Sequence, residues 1–229
     1  MVTHVLLDLD DTLLDFKRGE RIALTQTLRH FEIEPTNEML FRYHVINAAL
    51  WQALERGERT RKQILVERFS RLFEEFDFDV DPNEAQTYYA KGLSEQAILL
   101  DGAVQLLDTL SSRYPLYLVS NGNRMVQTKR IEQAGIGHYF KAVYLSEDVG
   151  YNKPAKEFFD YVMTASSEIV KETSVMIGDS LSSDIAGGNG AGITTIWFDK
   201  EGIGPSREIR PSYRVGALSE IPPLLEQIA

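Results

Sequence analysis

The sequence predicts an α/β fold, a doubly wound parallel sheet with an inserted block of helices. Three observations carry this expectation. A short apolar strand at the start, His4-Val5-Leu6-Leu7, breaks into the acids Asp8, Asp10 and Asp11. The pattern then becomes helical, one helix after another, to about residue 112. From residue 116 onward, short apolar runs alternate with helices, the signature of βαβ units.

Taken in order, the first helix is amphipathic from Phe16 to Phe31, with Ile22, Leu24, Leu28 and Phe31 as its apolar set. Glu34-Pro35-Thr36-Asn37 punctuates it. A second helix runs through Leu40, Tyr43, Leu50, Trp51 and Leu54 to Gly57, a C′ glycine. Thr60-Arg61-Lys62-Gln63 reads as a capping box opening a third helix with Ile64, Leu65, Phe69, Leu72 and Phe73. Asp81-Pro82-Asn83-Glu84 places an N-cap, a proline at N1 and an acid at N3 at the head of a fourth. After Asp101-Gly102 a helix covers Ala103 to Ser112. The alternating part follows: strand Leu116–Val119, helix Arg124–Ala134 closed by Gly135, strand Ala142–Leu145 and helix Pro154–Ala165. Strand Ser174–Ile177, helix Ser182–Asn189, strand Thr194–Phe198 and a last helix from Ser219 to Ile228 complete it. The first strand is too short to stand alone and most simply joins the later sheet. That makes the helical block an insertion, expected as a lid over the strand ends.

Composition narrows the function. The chain of 229 residues can bury a sizeable core, and 43% hydrophobic with 25% charged residues describes an ordinary globular protein. It has no apolar run of bilayer length, its N-terminal run is too short for a signal peptide, and it contains no Cys. Cytoplasm is the expected location. The net charge of −10 argues against a nucleic-acid or membrane-surface partner. A small anionic ligand remains compatible, provided that a metal ion, a lysine or backbone N–H groups meet it.

Taken alone, Asp8 to Thr12 reads equally as a solvated acidic turn or as a ligand loop at a buried strand end. Two later stretches repeat its behaviour: Leu116–Val119 runs into Ser120-Asn121-Gly122, and Val175–Ile177 into Gly178-Asp179-Ser180, with Asp184 shortly after. Parallel strands would set Asp8, Ser120 and Asp179 along one rim of the sheet, where open α/β sheets bind ligands. Asp8, Asp10, Asp179 and Asp184 would then crowd carboxylates that cannot all stay ionised without compensation. A hard divalent cation resolves this, and oxygen-only ligands favour Mg²⁺. Lys153 adds positive charge, and Ser120 with the N–H groups of Asn121 and Gly122 adds donors. The set suits phosphoryl transfer.

Four ordered motifs, Asp8-Leu9-Asp10-Asp11-Thr12, Ser120-Asn121-Gly122, Lys153-Pro154 and Gly178-Asp179-Ser180-Leu181-Ser182-Ser183-Asp184, resemble those of the haloacid dehalogenase (HAD) superfamily, most of whose members are phosphatases. The resemblance implies a Rossmann-like core of residues 1–15 and 98–229 and a C1-type helical cap of residues 16–97. It also implies roles. Asp8 would attack phosphorus to give an aspartyl-phosphate, and Asp10 would protonate the leaving oxygen and then deprotonate water. Ser120, Asn121 and Gly122 would bind the phosphoryl group, and Lys153 would neutralise nucleophile and phosphate. Mg²⁺ would lie among Asp8, the Asp10 carbonyl and Asp179, with Asp184 and Thr12 supporting. The superfamily's true dehalogenases lack an acid at the place of Asp10, so the reaction expected is on a phosphate ester.

Within the superfamily the chain is most similar to the pyrimidine 5′-nucleotidases. The matching stretches are Asp15-Phe16, Leu50-Trp51 through Glu55-Arg56-Gly57, Thr60-Arg61, Arg68-Phe69, Ser146-Glu147-Asp148-Val149-Gly150 and Asp184-Ile185-Ala186-Gly187-Gly188. Asn152 departs from the longer polar residue expected before the lysine. The substrate expected is therefore a nucleoside monophosphate, with another small metabolite, such as a phosphoglycolate or a sugar phosphate, as the alternative. A non-catalytic binding or regulatory protein on the same fold is disfavoured because every catalytic position is filled. Trp51 is expected in the helical core, Arg56, Arg59, Arg61 and Arg68 chiefly on solvated faces, and the four histidines without a role.

Overall fold

The computed structural model describes residues 2–204, 206 and 208–228. Met1 and Ala229, the outer limits of the predicted core, lie outside the described residues, as do Pro205 and Arg207 within it. Two compact units emerge, one of residues 1–16 with 97–229 and one of residues 17–96.

The first unit is built on six parallel strands: β1 (His4–Leu7), β2 (Leu116–Ser120), β3 (Phe140–Leu145), β4 (Ser174–Gly178), β5 (Thr194–Phe198) and β6 (Tyr213–Val215). They lie in the order β3-β2-β1-β4-β5-β6. The first strand is central, paired with β2 through Val5 and Leu116 and with β4 through His4 and Ser174. The order reverses direction at β1, which places a crevice at the carboxyl ends of β1 and β4.

Side-chain alternation divides the core between the two sheet faces. Val5, Leu7, Leu116, Leu118, Val175, Ile177 and Ile196 face Leu106, Leu107 and Leu110 of α5 (Ala103–Ser111), Ile131 of α6 (Arg124–Gln133), and Ile221 and Leu225 of α10 (Ile221–Ile228). Leu6, Tyr117, Val119 and Met176 face Phe158, Phe159 and Val162 of α8 (Lys156–Ala165) and Val149 of the one-turn α7 (Ser146–Val149). Layers on both faces make the sheet doubly wound, as the sequence predicts. No described helix is long and apolar enough to cross a membrane.

The second unit consists of α1 (Phe16–His30), whose first residue falls in the first unit, with α2 (Asn37–Glu55), α3 (Arg61–Glu75) and α4 (Pro82–Ser94). The predicted starts of the last two are present as geometry. Thr60 and Gln63 close a capping box on α3, and Asp81 caps α4, whose first residue is Pro82. Gly57 has φ +73° just past α2, the left-handed conformation that glycine adopts without strain. Tyr43, Phe69 and Tyr89 pack ring against ring at this unit's centre.

Several expectations need correction. Trp51 is only partly buried; the stripe of α2 that is buried runs through Tyr43, Ile46, Asn47, Leu50 and Leu54, and Trp51 flanks it under the Arg61 guanidinium. Arg68 is not solvated but buried, donating to Asn47 and Gln86 over the Tyr89 ring. The helix expected from Pro154 begins at Lys156, because Ala155 N–H closes a turn onto the Asn152 carbonyl. The helix expected from Ser182 opens as a wide π turn, Leu181–Ile185, before α9 (Ala186–Ala191).

Helix α9 approaches its neighbours closely at Gly187 and Gly188. A Cβ on Gly187 would lie 2.4 Å from the buried Phe159 ring and 3.1 Å from Pro154 Cα, whereas one on Gly190 would meet nothing within 4 Å. Gly187→Ala is therefore expected to destabilise the protein by about 1–3 kcal/mol through overpacking. Gly190→Ala should stabilise it by up to about 1 kcal/mol through helix propensity. Urea midpoints at unchanged slope provide the comparison; equal effects would contradict the packing described.

Candidate active site

Four strand ends build the site. The Asp8 backbone N–H still donates to Ile177 O at 3.0 Å, so the sheet ladder itself fixes where Asp8 begins its loop. The loop then curls tightly: Leu13 N–H and Leu14 N–H both donate to Leu9 O at 2.9 Å, and Asp11 takes φ +55°. Asp11 accepts from Lys200 Nζ at 2.8 Å on the loop after β5, and so anchors the turn. Thr12 Oγ1 lies 3.4 Å from Asp8 Oδ2 and 3.5 Å from Asp179 Oδ1, long contacts that bring the hydroxyl between the two acids.

Lys153 is the centre of the site. Its side chain is 1% exposed. Its three ammonium protons have three acceptors: Asp8 Oδ1 at 2.6 Å, Asp184 Oδ1 at 2.6 Å and Val119 O at 2.8 Å. The backbone on either side is clasped by Asn121, whose Oδ1 accepts from Lys153 N–H and whose Nδ2 donates to Lys153 O, both at 2.8 Å. The Asn121 side-chain amide is thereby committed to aiming the lysine, whereas the donor expected of this residue is its backbone N–H. Gly122 N–H likewise donates to Ser120 Oγ at 3.1 Å, and Gln127 Nε2 donates to the same oxygen at 3.0 Å. With both lone pairs of Ser120 engaged, its own O–H remains to be given.

Asp184 sits over the end of β4 because Gly178 has no side chain: a Cβ there would fall 2.2 Å from Asp184 Oδ2. Ser180 N–H donates to that oxygen at 3.1 Å. Trp197 Nε1 holds the Asp179 carbonyl at 2.8 Å, which orients the neighbouring carboxylate toward Asp8 and Asp184.

These placements leave too little positive charge. Burial pulls the Lys153 ammonium down, but Asp184 and Asp8 push harder, and it ends above its ordinary range. Asp8 is raised to about 8, first by burial and then by Asp184 and Asp10, against the opposing pull of Lys153. Asp179 is also raised, by desolvation and then by Asp8, Asp184 and Asp11. One ammonium is shared by more carboxylates than it can compensate. Asp8, Asp179 and Asp184 offer oxygens within 4.8 Å of one another, a donor set that fits a hard divalent cation.

Asp10 turns elsewhere. Its Oδ1 accepts from Arg130 Nη1 at 2.5 Å and its Oδ2 from Gln127 Nε2 at 2.6 Å. Neither α6 residue was anticipated. The signal available was their spacing of three, which puts both on one face of the helix that follows the Ser120 loop. Asn123 and Arg124, at the start of the same helix, face α7. Asn123 caps α6 and donates to Glu147, and Arg124 pairs with Asp148.

The profile of haloacid dehalogenase-like hydrolases matches residues 5–198. YfnB of Bacillus subtilis is 38% identical over 95% of this chain and 92% of its own length. Its magnesium-bound crystal structure superposes with a TM-score of 0.94, covering 98% of both chains. The pyrimidine 5′-nucleotidases PynA of Streptococcus pneumoniae and YjjG of Escherichia coli are 37% and 29% identical, covering 95% and 96% of this chain and 92% and 96% of their own.

The raised acids give a pH signature. A carboxyl with a folded pKa above its unfolded value holds its proton better when folded, so stability is lost as pH rises from about 4 through about 8. Without metal, the melting temperature should fall across that window. Added Mg²⁺ should restore more at pH 8 than at pH 5, where protons compete for the same oxygens. Asp179→Asn should flatten both trends, each kcal/mol recovered being worth roughly 2–4 °C in a chain this size. A Mg²⁺ effect independent of pH would contradict the charge imbalance.

Proposed function

The chain belongs to the haloacid dehalogenase-like hydrolase family, and we propose that it is a Mg²⁺-dependent phosphomonoesterase acting on nucleoside 5′-monophosphates, with a leaning to pyrimidines. The observation that carries the proposal is Asp8 at the central strand end, held by a buried ammonium beside a serine with a proton to give. The nucleotide leaning rests on PynA and YjjG, matched along nearly their whole length. On this reading residues 1–15 and 98–229 are the catalytic core and residues 16–97 the cap domain.

Each residue then has work that its position suits. A carboxylate oxygen of Asp8 attacks phosphorus, the bond to the ester oxygen breaks, and its electron pair leaves with that oxygen. Asp10, protonated, gives its proton to the leaving oxygen, so the alcohol departs neutral. Water then attacks the aspartyl-phosphate while Asp10 takes one of its protons. The bond to Asp8 breaks with its electrons returning to the carboxylate, and inorganic phosphate is released. Ser120 donates to a phosphoryl oxygen throughout, and Lys153 offsets the charge on Asp8 and the phosphoryl group. Asp8, Asp179 and the Asp10 carbonyl would hold Mg²⁺, which supplies positive charge for the anionic phosphoryl group. Asp184 serves by holding Lys153.

Asp8→Asn is expected to lower kcat by roughly a thousandfold or more, as removal of a nucleophile does, with the fold retained. Retained turnover would remove Asp8 from the reaction. EDTA should stop hydrolysis and Mg²⁺ restore it. Across dUMP, UMP, dTMP, AMP, glucose 6-phosphate and phosphoglycolate, the pyrimidine nucleotides should show the highest kcat/KM, and indifference to nucleotides would overturn the substrate assignment.

A further inference from the structure

Helix α6 holds two polar residues in a place where polar groups are costly. Arg130 and Gln127 are each 1% exposed. Burying a guanidinium costs several kcal/mol that an ion pair seldom returns in full, and apolar residues of similar volume are often as stable there. The pair is therefore not explained by stability alone. Its partner is Asp10, whose side chain is 28% exposed at the crevice.

The contacts form a closed circuit. Arg130 Nη1 donates to Asp10 Oδ1 at 2.5 Å and to Gln127 Oε1 at 2.9 Å. Gln127 Nε2 donates to Asp10 Oδ2 at 2.6 Å and to Ser120 Oγ at 3.0 Å. Phe16 covers the guanidinium, its ring centre 5.7 Å from Arg130 Cζ. Gly122 makes room for the circuit: a Cβ there would lie 2.2 Å from Gln127 Nε2. One glutamine amide thus links the carboxyl group of Asp10 to the hydroxyl of Ser120, and the arginine locks both.

We propose that Arg130 and Gln127 are positioning residues that fix the Asp10 carboxyl group relative to the phosphoryl group held by Ser120. The inference rests on the phosphatase reading above and deepens it. An aspartate at a rim would otherwise sample several rotamers, and a displacement of about 1 Å in a proton donor can cost roughly a hundredfold in rate. Holding both oxygens does not consume the group, since each carboxylate oxygen has a second lone pair on which the proton can sit. Neither residue touches the substrate in this account; both act through Asp10 and Ser120.

Leaving-group dependence separates this role from a structural one. Dinitrophenolate departs without a proton, whereas the nucleoside oxygen of UMP needs one. In Arg130→Met, the pre-steady-state burst with 2,4-dinitrophenyl phosphate should stay within about threefold of wild type, while single-turnover cleavage of UMP should slow by at least about tenfold. Arg130→Lys should recover part of the UMP rate. Gln127→Leu carries the same comparison should Arg130→Met give no folded protein, with loss again confined to UMP. Equal loss on both esters, or no loss on either, would overturn the positioning role. Wild-type protein that turns over neither ester would instead overturn the phosphatase reading, and this inference with it.

Discussion

The Lys153 ammonium is the constraint on which the site depends. It is buried, its three protons go to Asp8, Asp184 and the Val119 carbonyl, and it thereby ties together the ends of β1, β4 and β2. A buried lysine with any one of these acceptors removed would leave an uncompensated polar group, which is why so much local structure serves to aim it. Asn121 clasps its backbone, and Gly178 clears the space through which Asp184 reaches it. The sheet topology makes the arrangement affordable, because parallel central strands bring three loops from distant parts of the chain to one edge.

The same lysine is also insufficient. Asp8 and Asp179 both remain above the ordinary carboxylate range despite it. The site is deficient in positive charge while offering clustered oxygens, so a divalent ion is the natural complement. Asp10 adds to that deficit at Asp8, but its own side chain is paired elsewhere. Its carboxylate belongs to the α6 circuit with Arg130 and Gln127, which, on the proposed mechanism, keeps the proton-transfer group apart from the nucleophile.

The parts that were legible in the sequence were those with a period or a punctuated break. Strands β1, β2, β4 and β5 are apolar runs ending in polar loops, and Thr60-Arg61-Lys62-Gln63 and Asp81-Pro82 announce helix starts by the chemistry of their first turns. Asp8, Ser120 and Asp179 are legible because polar residues follow buried strands, and Lys153 through its Lys153-Pro154 motif. Strand β6 did not, since it is three residues long and two of them are exposed, leaving no alternation to read. Helix α6 was recognised but its buried face was not. Arg124, Gln127, Lys129, Arg130, Glu132 and Gln133 make it polar almost all round, so apolar periodicity could not show that Gln127 and Arg130 point inward. Trp51 was misplaced for the opposite reason: an aromatic residue between Leu50 and Leu54 looks like core, yet it sits beside the buried stripe. Hydrophobic pattern reports faces, while ion pairs across a hundred residues of chain leave no periodic trace.

The central proposal is that Asp8, held by Lys153, is the nucleophile that receives the phosphoryl group. Its most direct test is to quench the protein with acid during turnover of UMP in Mg²⁺ and locate any phosphoryl adduct by peptide mass spectrometry. The account predicts one phosphoryl group on Asp8, absent when Mg²⁺ is withheld. An adduct on Ser120, or rapid turnover with no adduct on Asp8 at any quench time, would contradict it.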